Sequence, residues 1–261
     1  MNIKLTVAIA LLTVMGNTSH AQDKPWNNKK CAVVLTYDDA LDVHLDNAIP
    51  LLDSLKLKAT FYLSTGFPRF ANRLNEWKKA AVKGHELANH TLFHPCIGNR
   101  PGREWVNSDY DMNTYSIQRM NDELRMCNTM LKALDGKTKR TFAYTCGDTR
   151  IRDSFFLDKN EFIAARTVVP QMQSLKDIDL YNIGSYPVEN YTGGQLIELV
   201  KEAMEKKVLL VFLFHGVGGG HSLDISLPAH RELLRFLKKN ERDIWIGTFI
   251  EVAEYIKKQK S

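Results

Sequence analysis

The chain has 261 residues, of which 44% are hydrophobic and 25% charged, enough for one large α/β domain or two small ones. Its formal net charge of +5 at pH 7 is too mild for a dedicated nucleic-acid-binding protein, and no basic run is interleaved with aromatic residues. We therefore expect no nucleic-acid partner, and we find no linker, low-complexity segment or repeat.

The first 21 residues have the pattern of a secretory signal peptide. Lys4 is followed by an apolar stretch over 5–15, and Ser19 and Ala21 are the small residues expected before a cleavage site. The stretch is too short to span a bilayer. We expect cleavage near Ala21, a secreted or periplasmic protein, no membrane span, and a single domain over 22–261.

The predicted elements alternate between strands and helices along the chain. A short, β-branched apolar run over 32–35 predicts the first, buried strand. Further strands are predicted at 58–64, 85–89, 140–144, 162–169, 180–185, 208–214 and 244–247, and helices at 41–55, 72–83, 114–134, 193–206, 227–239 and 249–258. About seven repeats of strand then helix indicate a parallel sheet with crossover helices. The expected fold is α/β, an irregular (β/α) barrel of about seven parallel strands.

Two adjacent carboxylates, Asp38 and Asp39, follow the first predicted strand. A buried parallel strand delivers its last residues to the carboxyl edge of the sheet, where barrels and open α/β folds place their chemistry. Neighbouring residues in an extended chain point to opposite sides, so the two acids can do different jobs. Alone, the pair would equally fit a turn or a helix N-cap.

A pair of histidines, His90 and His94, follows the third predicted strand. Two imidazoles at i and i+4 can converge on one ion if the backbone makes a helical turn there. Together with one of the two adjacent aspartates they supply three ligands and leave positions open for water and substrate, as catalytic metal sites require. The alternative is a pair of unrelated surface or capping imidazoles.

Another apolar strand, predicted at 208–214, ends at His215 and a glycine-rich loop. A histidine at that edge can serve as a general acid opposite the base. The alternative is a histidine that caps a buried strand. His221, further along the loop, is expected to be solvated.

Four cysteines remain after export, and an oxidising compartment permits disulfides between them. Four thiols allow three complete pairings. Cys31 opens a buried strand and is expected to be free. Cys96 and Cys146 both follow loops at the same predicted edge, so we favour a bridge between them.

In combination, these motifs resemble those of the polysaccharide deacetylases of the NodB-homology type (carbohydrate esterase family four). That family has a Thr-Phe-Asp-Asp strand end, a His-Ser/Thr-x-x-His-Pro motif and a terminal Leu-x-His. The corresponding segments here are 36–39, 90–95 and 213–215, in the same order. The resemblance extends over about residues 30–258.

The resemblance implies a metal-dependent hydrolase that removes acetyl groups from a carbohydrate. Asp39, His90 and His94 would hold the metal, for which Zn²⁺ suits the ligands best, with Co²⁺ or Ni²⁺ as alternatives. A water would attack the acetyl carbonyl while Asp38 takes its proton, and His215 would protonate the departing amine or hydroxyl. The substrate stays open between N-acetylglucosamine polymers, such as chitin oligomers or peptidoglycan, and O-acetylated xylan.

A further motif of the family, an Arg-Pro-Pro-Tyr-type segment, lies between the histidine motif and Leu-x-His and is called the third motif. It is altered in this chain. It survives only at 142–147, with Ala143 in place of the arginine that orients the base. Arg166, in a neighbouring predicted strand, could supply that guanidinium, or could be an ordinary strand-end arginine. By the same alignment, the backbone N–H of Cys146 would stabilise the oxyanion.

The remaining expectations concern the substrate pocket and the competing function. Leu213 would receive the acetyl methyl group, Tyr37 would line the pocket, and Trp105 could stack on a sugar ring. The altered third motif also permits a second hypothesis, a carbohydrate-binding pseudoenzyme on the same barrel.

Overall fold

The structure is a computed structural model that describes residues 25–260, so the predicted signal peptide lies outside the described residues. Within the described range the strands are β1 (Cys31–Asp38), β2 (Thr60–Leu63), β3 (Glu86–Asn89), β4 (Thr141–Ala143), β5 (Arg150–Ile151), β6 (Ser154–Phe155), β7 (Ala164–Arg166), β8 (Tyr186–Pro187), β9 (Leu209–Phe214), β10 (Gly216–Val217), β11 (Asp224–Ile225) and β12 (Ile244–Gly247). The α-helices are α1 (Ile49–Ser54), α2 (Pro68–Ala71), α3 (Leu74–Val82), α4 (Ile117–Asp135), α5 (Gly193–Lys206), α6 (Leu227–Lys239) and α7 (Phe249–Lys260). None of these helices is both long and apolar enough to cross a membrane.

One eight-stranded sheet organises the fold. Seven strands follow the order β7-β4-β3-β2-β1-β9-β8, and β12 pairs with the first half of β1. All of these pairs are parallel, and every residue of β1 is buried. The predicted irregular barrel of parallel strands is confirmed, and the carboxyl ends of β1, β2, β3 and β9 meet at one edge.

The sheet is irregular between β7 and β8. The strand predicted at 180–185 is not regular, although it lies beside β7: Thr167 N donates to Ile183 O at 2.8 Å and Ser185 N donates to Val169 O at 2.9 Å. No crossover helix separates β7 from β8, and the short β5–β6 hairpin precedes them. The predicted alternation therefore fails in this region, where individual hydrogen bonds replace a regular ladder.

The helix predicted at 41–55 is divided into two pieces. A π-helical turn, His44–Ala48, precedes α1, and Pro50 stands in the first turn of α1. Because proline has no N–H to donate to the preceding turn, the regular α-helical ladder does not continue back through it. The turn places His44 beneath the carboxyl edge of the sheet.

Alternate residues of β1 belong to different apolar clusters. Val33, Leu35 and Tyr37 pack in the cluster that includes side chains of α1, α5 and α6, whereas Ala32 and Val34 pack in the cluster that includes side chains of α7. The period of two along a strand produces this separation. It also decides that Tyr37 and Asp38 point to opposite faces of the sheet.

Candidate active site

A cavity of about 1030 Å³ opens at the carboxyl edge of the sheet. The cavity is lined by the five residues predicted to bind the metal or to transfer protons: Asp38, Asp39, His90, His94 and His215. They come from the ends of β1, β3 and β9, which the parallel pairing brings side by side. Sequence segments separated by up to 177 positions thus meet in one cavity.

Three atoms that could ligate a metal ion lie close together in this cavity. Asp39 Oδ1 lies 3.5 Å from Nε2 of His90 and 3.4 Å from Nε2 of His94. The three ligand atoms all lie within 4.8 Å of one another. Asp39 Oδ1 is buried and has no hydrogen-bond partner among the described residues. A buried carboxylate oxygen without a donor, facing two imidazole nitrogens, fits a divalent cation bound between them.

Both imidazoles are oriented by their other ring nitrogen. His90 Nδ1 lies 2.8 Å from the carbonyl oxygen of Ala143 and donates to it, which leaves the Nε2 lone pair free for a ligand bond. His94 Nδ1 lies 3.6 Å from Sγ of Cys96. That sulfur and its partner, Cys146, belong to a disulfide, so the neighbouring cysteines do not act as ligands.

The electrostatics of the three groups suit metal binding, which needs neutral imidazoles and an ionised carboxylate. Burial lowers the pKa of His90 to about 4, so its ring is neutral at neutral pH. Burial alone would raise the pKa of Asp39, but the nearby His94 and His90 imidazoles outweigh it and hold that pKa well below its usual range. Asp39 is therefore ionised.

The two histidines do not converge through a helical turn, which was the condition set by their spacing. Thr91 and His94 have φ values of 65° and 52°, in the left-handed region. Side chains support the turn: Asn89 Oδ1 accepts from Thr91 N at 2.8 Å, and Thr91 Oγ1 accepts from His94 N at 2.9 Å. Asp39 also has a positive φ, 78°. Unusual backbone at ligand positions is common where geometry serves function.

Asp38 is paired with a buried arginine. Arg166 Nη2 donates to Oδ1 and Oδ2 of Asp38 at 2.6 and 2.5 Å, and Arg166 is fully buried. Burial would raise the pKa of Asp38, but the Arg166 guanidinium, followed by His90, lowers it below the ordinary value. The structure thus brings Arg166 to Asp38, and Ser185 Oγ, 3.2 Å from Nη1, helps to fix its guanidinium.

His215 follows β9, the strand paired with β1, and lies near Asp39. Its Nε2 is 4.0 Å from Asp39 Oδ2, and its backbone oxygen accepts a hydrogen bond from His44 Nε2 at 2.7 Å. Burial lowers the pKa of His44 to about 4, so His44 is a neutral donor. His221, expected to be solvated, is half-exposed and lines the cavity, with its ring stacked on that of His215. No local pattern in the sequence indicates the roles of His44 or His221.

The expectations for the cavity wall are met in part. Leu213, Trp105 and Cys146 line the cavity. Tyr37 does not: it is fully buried on the opposite face of β1, where its hydroxyl lies 2.7 Å from His230 Nε2. The prediction that Tyr37 lines the pocket is therefore wrong. Successive residues of a strand face opposite sides, and the next residue, Asp38, faces the cavity.

The loop that contains Trp105 runs from the end of β3 to the start of α4 and is linked to the barrel at two places. The predicted bridge between Cys96 and Cys146 is confirmed. Asp148, which the sequence did not single out, accepts from Ile97 N at 2.8 Å and from Arg103 Nη1 at 2.5 Å. The loop therefore forms a fixed wall beside His94, whose ring centroid is 6.4 Å from that of Trp105.

A family model for polysaccharide deacetylases matches residues 26–158, just over half of the chain. The chain belongs to the polysaccharide deacetylase family. The family comprises hydrolases that act on amide or ester bonds of carbohydrates, and this chain is of its NodB-homology type, carbohydrate esterase family four. The matched segment contains Asp38, Asp39, His90 and His94, whereas His215 lies beyond it.

Solved structures of the family share the fold at low sequence identity. A polysaccharide deacetylase candidate from Mycobacterium smegmatis is 14% identical, with a TM-score of 0.66 over 98% of this chain and 96% of that one. The Xyl-CE4 domain of a multidomain xylanase from the hindgut metagenome of Trinervitermes trinervoides is 18% identical, with a TM-score of 0.54 over 88% and 91%. A variant of peptidoglycan deacetylase PdaC from Bacillus subtilis is 14% identical, with a TM-score of 0.51 over 89% and 94%.

Among curated proteins, the chain is similar to uncharacterized protein YlxY of Bacillus subtilis (strain 168). The two are 28% identical over 107 residues, which is 41% of this chain. The match covers 28% of the length of YlxY.

Proposed function

We propose that this protein is an exported, metal-dependent hydrolase that removes acetyl groups from a carbohydrate. The observation that carries the proposal is the buried, unpartnered Oδ1 of Asp39, 3.5 and 3.4 Å from Nε2 of His90 and His94. Two imidazoles and one carboxylate make a ligand set typical of catalytic zinc, with Co²⁺ or Ni²⁺ as alternatives. We further propose that export follows cleavage near Ala21 and leaves one catalytic domain over 22–261.

The chain's own residues can carry the proton transfers. A bound divalent ion supplies Lewis-acid polarisation of the acetyl carbonyl and a more acidic water. Asp38, kept ionised by Arg166, accepts the proton of the attacking water. His215, whose Nε2 is 4.0 Å from Asp39 Oδ2, donates a proton to the departing amine or hydroxyl. Leu213 in the cavity wall offers an apolar contact to the acetyl methyl group, and the backbone N–H of Cys146 is the proposed oxyanion donor.

The substrate is an acetylated glycan, either an N-acetylglucosamine polymer such as chitin or peptidoglycan, or O-acetylated xylan. Amide and ester hydrolysis pass through the same tetrahedral intermediate, so the named residues serve both. Related folds carry names of both kinds, a peptidoglycan deacetylase and a xylanase domain. The cavity of about 1030 Å³ has room for more than one sugar ring.

Two matched isosteric variants test the proposal. Asp39→Asn and Asp38→Asn change two neighbouring residues in the same way. Each variant replaces one carboxylate oxygen by an amide NH2 group and removes the negative charge. We expect the wild-type protein to retain stoichiometric zinc by elemental analysis and to release acetate from at least one of chitin oligomers, peptidoglycan fragments and acetylated xylan. Asp39→Asn should lose the zinc, whereas Asp38→Asn should keep the zinc and lose acetate release.

The competing hypothesis is a carbohydrate-binding pseudoenzyme, prompted by the missing arginine of the third motif. One related structure, 18% identical with a TM-score of 0.50, is itself described as a pseudoenzyme of this family. The contact between Arg166 and Asp38 weakens this reading, because it restores a cation beside the base. A zinc-loaded wild-type protein that binds acetylated glycans yet releases no acetate from any of them would favour the pseudoenzyme.

A further inference from the structure

The loop that follows His215 is a compact, hydrogen-bonded unit. Gly216 N donates to Leu223 O at 2.9 Å and Gly218 N donates to Ile225 O at 2.8 Å, which closes the loop at its base. Gly219 N donates to Oδ1 of Asp224 at 3.0 Å. Residue 220 must be glycine, because its φ is +85° and a Cβ there would lie 2.9 Å from the Val43 side chain. The loop therefore fixes the backbone on both sides of His221.

The tautomer of His221 is determined by this backbone. Its Nδ1 lies 3.0 Å from the backbone N of Leu223 and accepts a hydrogen bond from it. An acceptor nitrogen carries no hydrogen, so in the neutral ring the hydrogen is on Nε2. Nε2 makes no hydrogen bond with any atom of residues 25–260, and His221 lines the cavity. The loop thus leaves an N–H donor, without an acceptor in that range of the chain, on a residue of the cavity wall.

The ring of His221 lies against the ring of His215. Their centroids are 4.8 Å apart and the planes are inclined by 19°. The donor is therefore beside the group proposed to protonate the leaving atom. The indole N–H of Trp105, by contrast, donates to the Gly102 carbonyl oxygen at 3.1 Å.

We propose that His221 is a substrate-binding residue whose Nε2–H donates a hydrogen bond to an oxygen of the sugar that carries the acetyl group. The inference rests on the proposed function only for the class of ligand, an acetylated glycan. His221 is half-buried, and its Nε2–H, which has no acceptor among the described residues, stays accessible from the cavity. A sugar supplies many hydroxyl and ring oxygens that can accept from such a donor. His221 stays neutral in this role and transfers no proton.

The tautomer is tested directly by NMR of protein with ¹⁵N-labelled histidine. The chain has eight histidines, and the spectrum of His221→Asn assigns the His221 signals by difference. We expect hydrogen on Nε2 and none on Nδ1 in the wild-type protein. In the Asp38→Asn variant, which is proposed to be inactive, addition of an N-acetylchito-oligosaccharide or acetylated xylo-oligosaccharide should shift the Nε2 resonance. Hydrogen on Nδ1, or no shift when oligosaccharide binding is demonstrated calorimetrically, would overturn the inference.

Kinetics of three variants provide a second test. His221→Phe keeps a flat ring against His215 but removes the N–H, and His221→Asn keeps an acceptor for Leu223 N without reaching the cavity. Both should raise KM about 2- to 12-fold with kcat nearly unchanged, as for loss of one neutral hydrogen bond to bound substrate. His221→Gln, whose longer amide restores an N–H, should recover part of the loss.

These outcomes separate the inference from the proposed function. A wild-type protein that releases acetate, with variants whose KM is unchanged, would refute the role of His221 and leave the hydrolase assignment intact. A wild-type protein inactive on every glycan would refute the assignment, while the tautomer and the ligand-induced shift still decide the role of His221. Equal zinc content and thermal midpoint in the variants would show that the loop still folds.

Discussion

Ala143 and Arg166 are register partners on the adjacent parallel strands β4 and β7. The family's third motif would place an arginine at residue 143, and in this chain the guanidinium comes from the same level of the next strand. Arg166 Nη2 still reaches both oxygens of Asp38, at 2.6 and 2.5 Å. Asp38, the proposed base, therefore keeps a cationic partner although residue 143 is alanine.

Arg166→Ala should reduce both stability and activity. Removing one partner of a buried ion pair leaves an uncompensated charge and typically costs about 3–5 kcal/mol of unfolding free energy. We also expect kcat for acetate release to fall by about 100-fold or more, because the proposed base loses its charge partner and its orientation. Chemical denaturation and initial rates measure the two effects.

A relocated arginine is the matched control for that variant. Ala143→Arg combined with Arg166→Ala returns the guanidinium to the strand position used by the rest of the family. Recovery of at least tenfold in kcat over Arg166→Ala would attribute the loss to the missing guanidinium. If Arg166→Ala alone turns over substrate at the wild-type rate, Arg166 only stabilises the buried carboxylate.

The disulfide between Cys96 and Cys146 should stabilise both the fold and the ligand His94. It closes a loop with a sequence separation of 50 residues, for which the chain-entropy relation gives about 4 kcal/mol. Its sulfur also lies 3.6 Å from His94 Nδ1. We expect the double variant Cys96→Ser/Cys146→Ser to lose stability of that order and to bind zinc about tenfold more weakly, as for loss of an outer contact to a ligand.

The remaining thiols allow an internal control. Cys31 and Cys127 are buried, and burial raises the pKa of each to about 12, so neither reacts readily. A non-thiol reductant should therefore lower the thermal midpoint of the wild-type protein and leave that of the double variant unchanged. An unchanged midpoint in the reduced wild-type protein would contradict the stabilising role of the bridge.

Trp105→Ala should weaken binding of the glycan. The side chain is 62% exposed at the cavity mouth, where stacking on a sugar face would bury it. An aromatic contact of about 0.5–1.5 kcal/mol corresponds to a rise in KM of about 2- to 12-fold, with kcat little changed. The control is Phe155→Ala, which removes a similarly exposed aromatic (64%) from the β5–β6 hairpin. Equal KM values for the two variants would exclude a platform role.

Glu86 should make the stability of the fold depend on pH. The side chain is buried and accepts hydrogen bonds from Thr60 Oγ1 at 2.8 Å and Ile250 N at 2.9 Å, and burial raises its pKa above the ordinary value of 4.5. Because the pKa is raised in the folded state, the contribution of protonated Glu86 to the free energy of unfolding is fully present below pH 4.5. This contribution is lost as the pH rises through the pKa of the folded state.

Glu86→Gln isolates the pH dependence because an amide stays neutral. Its oxygen can still accept from Thr60 Oγ1 and Ile250 N, whereas the Thr141 hydroxyl, which donates to the other carboxylate oxygen of Glu86, would have to accept from the amide instead. The unfolding free energy of the wild-type protein should fall relative to that of Glu86→Gln between pH 4.5 and pH 8, as measured by denaturant titration. A difference that stays constant with pH would mean that Glu86 has no raised pKa. Because Glu86 begins β3 and the proposed metal ligands follow the end of that strand, the comparison does not change a residue of the candidate site.

Local signals in the sequence were sufficient for the two helices α5 and α6. The bounds predicted for α5 and α6 are those observed, because Thr192 with Gln195 forms a capping box and Ser226 caps α6. The meeting of Asp39, His90 and His94 was also predictable, since parallel strands deliver their ends to one edge. In both cases the determinant lies within a few residues or follows from topology.

Other features depend on contacts that local patterns do not encode. His44 reaches the carbonyl oxygen of His215 across 171 positions of sequence, and no spacing rule relates the two. Two further features are the π-helical turn before α1 and the irregular segment 180–185 beside β7. In both, tertiary packing overrides the structure that the hydrophobic periodicity predicts. The prediction that Tyr37 lines the pocket is wrong because alternate residues of a strand face opposite sides, and Tyr37 packs in the core on the side away from Asp38.

The positive φ of Asp39, 78°, restricts which residues can occupy that position. Glycine adopts such a backbone without strain, and asparagine and aspartate tolerate it better than other side chains. Of these three, aspartate alone carries an anionic oxygen. The proposed metal ligand and the sharp turn therefore require the same amino acid at this position. Glutamate, the nearest chemical substitute, would strain the backbone and its longer side chain would also displace the charge.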